Sequence, residues 1–147
     1  MKKIITIAIL FFSFISFAQI KVIETVPVEK LGRVNNNFYI QKIGNEYTVF
    51  YNTVQTGDEA PGIKKFTFKN VNDDYSSLYT IIVNGFAASP LYDIKLELPD
   101  NYVWLHYIAN TDKTLVQFMV SNKDNATGAN VSEPLSREQI EKLFQKG

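Results

Sequence analysis

Residues 102–120 read YVWLHYIANTDKTLVQFMV. Side chains alternate with a period of two on both sides of Asn110-Thr111-Asp112, a cluster of turn formers, which predicts an antiparallel hairpin. With Thr111-Asp112 as the turn, Trp104 opposes Met119, His106 opposes Gln117 and Ile108 opposes Leu115. The other face then sets Val103, Leu105 and Tyr107 against Val120, Phe118 and Val116. Both faces are apolar, as in a strand pair covered on both sides. On this reading Trp104, His106 and Phe118 are scaffold residues, although the first two are the only Trp and the only His of the chain.

Upstream, FYIQKIGNEYTVFYNTV (38–54) predicts a second hairpin around Gly44-Asn45, pairing Ile40 with Val49, Tyr39 with Phe50 and Gln41 with Thr48. Further strands are expected at 20–26 (IKVIETV), 65–71 (KFTFKNV) and 93–98 (DIKLEL), with turn-rich polar sequence at 27–37 and 55–65. Between residues 72 and 90, Tyr75, Leu78, Tyr79, Ile82 and Phe86 recur at helical spacing, with Asn72 or Asp73 as the cap and Pro90 as the stop. A long stretch without periodicity, 122–135, precedes a short C-terminal helix. There Ser136 and Gln139 form a capping box, Leu135 and Ile140 a hydrophobic staple, and Glu138 and Lys142 an i,i+4 pair. Ile140, Leu143 and Phe144 make a stripe too small to fold alone, so Phe144 docks on the sheet.

The expected fold is therefore α+β. It is one mostly antiparallel twisted sheet of about six or seven strands, in the order β-β-β-β-α-β-β-β-α, with two helices packed on it. The alternative is a right-handed βαβ crossover over residues 66–98, giving one parallel pair.

The N-terminus, MKKIITIAILFFSFISFAQ, has the three zones of a signal peptide: Lys2 and Lys3, an apolar run from Ile4 to Phe17, and small residues Ser16 and Ala18 before Gln19. The run is shorter than the about 20 residues a membrane span needs. The expectation is cleavage after residue 18, leaving 19–147 as a single exported domain, periplasmic or secreted, with no membrane span after cleavage. Basic and acidic residues number 15 each, and loss of Lys2 and Lys3 leaves a net charge of −2. So even a balance offers no phosphate-tracking surface, and nucleic acid is not an expected partner.

Residue types restrict the chemistry. The chain has no Cys, hence no thiol nucleophile, no thiolate metal site and no disulfide. One His leaves Ser-His-Asp and zinc-hydrolase arrangements without enough ligands or a nucleophile elbow. Gly57 and Gly62 stand apart from any Lys-Ser/Thr pair, so no phosphate loop is present. Asp73-Asp74 is explained by helix capping, and Asp93 and Glu97 by a solvated strand face. The loop from Asn122 to Gly128 fails the calcium pattern because Ala126 stands where an oxygen ligand is required. Neither a metal nor a cofactor is expected. Two Asn-x-Ser/Thr sequons, at Asn125 and Asn130, are read as chance in a polar loop.

What remains is recognition. The expected function is a non-catalytic binding or interaction domain of a bacterial envelope or secretome, with a protein, small-molecule or glycan partner. Its candidate ligand-binding residues lie in the two polar loops: Asp58, Glu59, Asp124, Asn125 and Asn130. A secreted inhibitor of an enzyme is a narrower version. A small hydrolase is the contrasting reading, and it requires at least two of Asp93, Asp100, Asp112, Asp124 and His106 to converge in a cleft.

Overall fold

A computed structural model describes residues 20, 22, 24–56, 59–88, 90–124 and 129–146. The signal-peptide assignment therefore lies outside the described residues. Among the described residues, nine strands and two helices follow one another as β1 (Val28–Asn35), β2 (Phe38–Ile43), β3 (Glu46–Asn52), β4 (Ile63–Lys69), α1 (Asp74–Ala88), β5 (Ile94–Glu97), β6 (Asn101–Ala109), β7 (Thr114–Asn122), β8 (Asn130–Val131), β9 (Leu135–Ser136) and α2 (Arg137–Leu143).

The class is α+β, but the strands form two antiparallel sheets rather than one. Sheet 1 has the order β1-β2-β3-β4, and sheet 2 the order β5-β6-β7-β8 with β9 also on β7. The parallel β-α-β pair does not form, because β4 and β5 belong to different sheets. The reason is the amount of apolar surface. Sheet 1 buries Phe38, Ile40, Tyr47, Val49, Tyr51, Phe66 and Phe68, and sheet 2 buries Val103, Leu105, Val116, Phe118 and Val120. Two helices whose buried residues are few (Leu78, Ile82 and Gly85; Ile140 and Leu143) cannot cover both faces. The sheets therefore face each other directly, with the Phe118 ring 6.0 Å from Phe38 and 5.9 Å from Phe66. Helix α2 fills the space against β1, β2 and β7, and α1 packs on β6, β7 and α2.

Both expected hairpins form with the expected register: Tyr39 opposes Phe50, Ile40 opposes Val49, Trp104 opposes Met119 and His106 opposes Gln117. Of the strand expected at 20–26, the described residues (20, 22 and 24–26) are unpaired, and Ile20 and Val22 are exposed. The first strand is instead Val28–Asn35, in sequence that reads as turn. It pairs with β2 through a register shift between Lys30 and Arg33 that contains Gly32. A Cβ on Gly32 would overlap the main-chain carbonyls of Lys142 and Leu143, so this bulge is where the end of α2 rests on β1.

Helix α1 starts differently from expectation. The Asn70 side chain accepts from the Tyr75 N–H at 3.1 Å, Asp74 accepts from the Val71 N–H, and Asp73 itself takes a φ of 58°. In α2 the capping box is present, with Ser136 Oγ accepting from Gln139 N–H and Gln139 Oε1 accepting from Ser136 N–H. The i,i+4 ion pair observed there is Arg137–Glu141, at 3.3 Å. Gln145, at φ 57°, ends the helix: Gln145 N–H donates to the Lys142 carbonyl and Lys146 N–H to the Glu141 carbonyl, a Schellman arrangement.

The segment expected to be structureless, 122–135, contains β8 and the start of β9. It stitches the sheets together. Val54 N–H donates to the Val131 carbonyl at 2.9 Å, Glu133 N–H to the Asn52 carbonyl at 2.9 Å, and Ser132 N–H to the Phe118 carbonyl at 2.8 Å.

Candidate functional site

At one end of the molecule the inward faces of both sheets change from apolar to polar. In β4, two residues before the buried Phe66, the inward register holds Lys64, opposite Tyr51. In β6, two before the buried Val103, it holds Asn101, opposite Asn122. Asn130 of β8 opposes Val120. These positions, with Phe50, Ile63 and Lys65, line a cleft of about 450 Å³ between the sheets, within the size range of small-ligand sites.

The side chains there are fixed by one another. Asn101 is buried, and its Nδ2 donates to Asn122 Oδ1 at 2.8 Å and to the Ser121 carbonyl at 3.3 Å. Burial pushes the Tyr51 hydroxyl up to about 12, against the opposing effect of its hydrogen bond with Asn130, so this phenol stays neutral. The rim is closed by short links. Thr53 Oγ1 donates to the Gly62 carbonyl at 3.0 Å and accepts from the Gly62 N–H at 2.9 Å. Asn52 Nδ2 donates to Glu133 Oε1 at 2.8 Å. The two polar loops of the sequence therefore end at the same rim.

Of the five loop residues expected to bind a ligand, Asn130 lines the cleft. Glu59 reaches its edge, with Oε1 3.8 Å from Lys64 Nζ. Asp124 is exposed after β7 and is not part of the lining. Asp58 and Asn125 lie outside the described residues. Sequence reasoning passed over Lys64, Asn101 and Asn122. Their signal is an inward strand position that carries a polar residue in register with a buried apolar one.

Trp104, His106, Phe118 and Phe144 separate into two groups. Phe118 and Phe144 are buried in the shared core. Trp104 and His106 are only half-buried on the outer face of sheet 2, which neither of the described helices covers. This corrects the expectation of a strand pair covered on both sides. There Lys95 Nζ sits 5.2 Å from the Trp104 ring and 4.1 Å from the Tyr102 ring, while Tyr47, Tyr51 and Tyr107 turn toward the core. His106 Nδ1 hydrogen-bonds Asp93 Oδ1 at 2.7 Å, not Gln117, whose Nε2 donates to the Ser132 carbonyl.

The Asp93–His106 pair meets the distance condition for acid–base chemistry but stands on an open sheet face. Its same-face neighbours on β6 and β7 are Trp104, Ile108, Leu115, Gln117 and Met119, none of them a nucleophile. Among the described residues no cluster of His, Asp or Glu is arranged to hold a metal. An apolar groove of about 310 Å³ lies between Phe68, Leu78, Ile81, Leu96 and Leu98. Its carboxylates are already engaged, Asp74 by the Val71 N–H and Glu97 by Lys123 at 2.9 Å. No helix among the described residues is long and apolar enough to cross a membrane. No protein-family model matches the chain, and no curated protein or solved structure matches it either.

Proposed function

We propose that the protein is an exported, non-catalytic binding domain of a bacterial envelope or secretome, and that it takes a small polar ligand in the cleft between its sheets. The observation that supports this most directly is the pre-formed set of directed polar groups at inward positions: the amides of Asn101, Asn122 and Asn130 and the Tyr51 hydroxyl, tied into the seam. Interior strand positions normally carry apolar side chains, and a cavity with a few convergent polar groups is the usual form of a ligand site. Assembly through a sheet edge is supported less well. The edge strand β4 carries Lys64, Lys65 and Lys69, and β5 is only four residues long; short, charged edges discourage strand addition.

The test is a thermal-shift screen of the purified protein against saccharides, amino acids and phosphorylated compounds, repeated with Asn122→Ala and Asn130→Ala. A ligand at 100 times its dissociation constant adds about 2.7 kcal/mol of stability, so binding raises Tm in the parent protein, and both variants blunt the rise. Ligands that stabilise parent and variants equally place recognition elsewhere. Turnover of any compound that is lost in His106→Ala replaces the binding reading with a catalytic one.

A further inference from the structure

We propose that the ligand of this cleft is an anion, a small molecule carrying a carboxylate or phosphate group, which Lys64 binds in competition with the protein's own Glu59. This rests on the binding reading above and adds the chemical class of the ligand and a resident competitor.

Among the described residues the lining includes the inward Lys64, with Lys65 next to it on the outer face of β4, and no carboxylate. Lys64 occupies an inward register position opposite Tyr51, so its charge is held at the mouth between the sheets rather than spread over an outer face. The Tyr51 ring and Val120 supply apolar wall, which lowers the local dielectric and strengthens any charge–charge attraction. The remaining groups are amides and a neutral phenol. They can read hydroxyls or share the oxygens of an anion, but they cannot compensate a bound cation.

Glu59 occupies the place where such an anion would act. Reciprocal main-chain hydrogen bonds join Thr56 and Glu59 (Glu59 N–H to the Thr56 carbonyl at 3.0 Å, Thr56 N–H to the Glu59 carbonyl at 3.4 Å). With Glu59 held there, its carboxylate lies 3.8 Å from the Lys64 ammonium. Both side chains are about half exposed, so the pair is weak and readily exchanged. A ligand carboxylate or phosphate that also meets the Asn amides has more partners than Glu59 has, and replaces it.

The experiment titrates inorganic phosphate, galacturonate and the neutral sugar galactose into the purified protein. It follows the side-chain amide signals of Asn122 and Asn130 by nuclear magnetic resonance. The expected result is that one or both anions shift these signals and galactose does so far more weakly. Response to phosphate alone identifies a phosphate ligand, and response to galacturonate alone a carboxylate. Lys64→Gln weakens the anion roughly tenfold, as loss of one charged hydrogen bond does, while Glu59→Gln tightens it about threefold. Both substitutions are at exposed side chains, and unchanged Tm verifies folding. Equal binding of galactose and galacturonate overturns the anion class and leaves the cleft reading standing. Anion shifts confined to signals outside the cleft overturn both. No shift with either anion, or no effect of Lys64→Gln, overturns the proposal while the screen with Asn122→Ala and Asn130→Ala still decides the site.

Discussion

The Tyr107 hydroxyl of β6 donates a 2.5 Å hydrogen bond to the main-chain carbonyl of Ile82 in α1, crossing the helix where Gly85 has no side chain. A Cβ at residue 85 would overlap that phenol ring. Glycine within a helix costs about 1 kcal/mol relative to alanine, yet here it lets α1 approach Tyr107 of sheet 2 closely. Gly85→Ala therefore destabilises despite its better helix propensity, by roughly 1–3 kcal/mol of overpacking. Tyr107→Phe, which keeps the ring and loses the bond, costs about 1 kcal/mol. Urea unfolding midpoints measure both, and a Gly85→Ala protein more stable than the parent would refute this account of the contact.

Alkaline pH acts on the same core. Burial pushes Tyr51, Tyr75 and Tyr107 from the ordinary value of 10.0 up to about 12 each, with the nearby Tyr47 adding to the rise at Tyr75. Raised folded-state values mean that the unfolded chain ionises first. Stability from these groups is intact below about pH 10 and is lost as pH rises through about 12. A tyrosinate absorbance titration should show these three tyrosines ionising late, together with loss of near-ultraviolet circular dichroism. Ionisation of Tyr51, Tyr75 and Tyr107 near the ordinary value, with the fold intact, contradicts the burial assigned to them.

Trp104 and Phe118 lie on opposite faces of sheet 2, and truncation separates them. Phe118, 2% exposed and in contact with Phe38 and Phe66, is a junction of the two sheets. Phe118→Ala costs about 3–5 kcal/mol. The half-buried Trp104 loses its contacts with Tyr102 and Lys95, for about 1 kcal/mol. Equal costs for the two, by urea denaturation, would mean that the outer face is covered in solution.

These faces also mark how far the sequence could be read. The register of β6 on β7 was legible because both strands are nine residues long and a turn cluster anchors them. Alternation says which side chains share a face, but not which strands pair across a 15-residue helix. The division into two sheets between β4 and β5 therefore left no local mark. Strand β1 was hidden because Gly32 and the asparagines after it are turn formers. Only the contact with the end of α2 explains a glycine inside that strand. β8 and β9, two residues each, are too short to show a period. Of the cleft, Asn130 was legible as a polar loop residue. Lys64, Asn101 and Asn122 required knowing which strand faces look inward.

Ser132 joins fold and cleft. It is fully buried, and its Oγ accepts from the Phe118 N–H at 2.8 Å while donating to the Glu133 carbonyl at 3.0 Å. Its own N–H donates to the Phe118 carbonyl, and it forms an isolated bridge to Thr53, just past the end of β3. A hydroxyl thus completes a ladder position where β8 ends, which accounts for the serine of the second sequon by packing. Ser132→Ala leaves the Phe118 N–H buried without an acceptor and costs about 1–3 kcal/mol. Because the seam holds Asn130 against Tyr51, the same substitution should loosen the cleft before the molecule unfolds. Native-state hydrogen exchange measures this directly. The amides of Phe118 and Val54 should exchange faster in Ser132→Ala, with those of β2 and β3 protected as in the parent. Uniform loss of protection would instead mean that the two sheets unfold as one unit and that the seam is no weaker than the core.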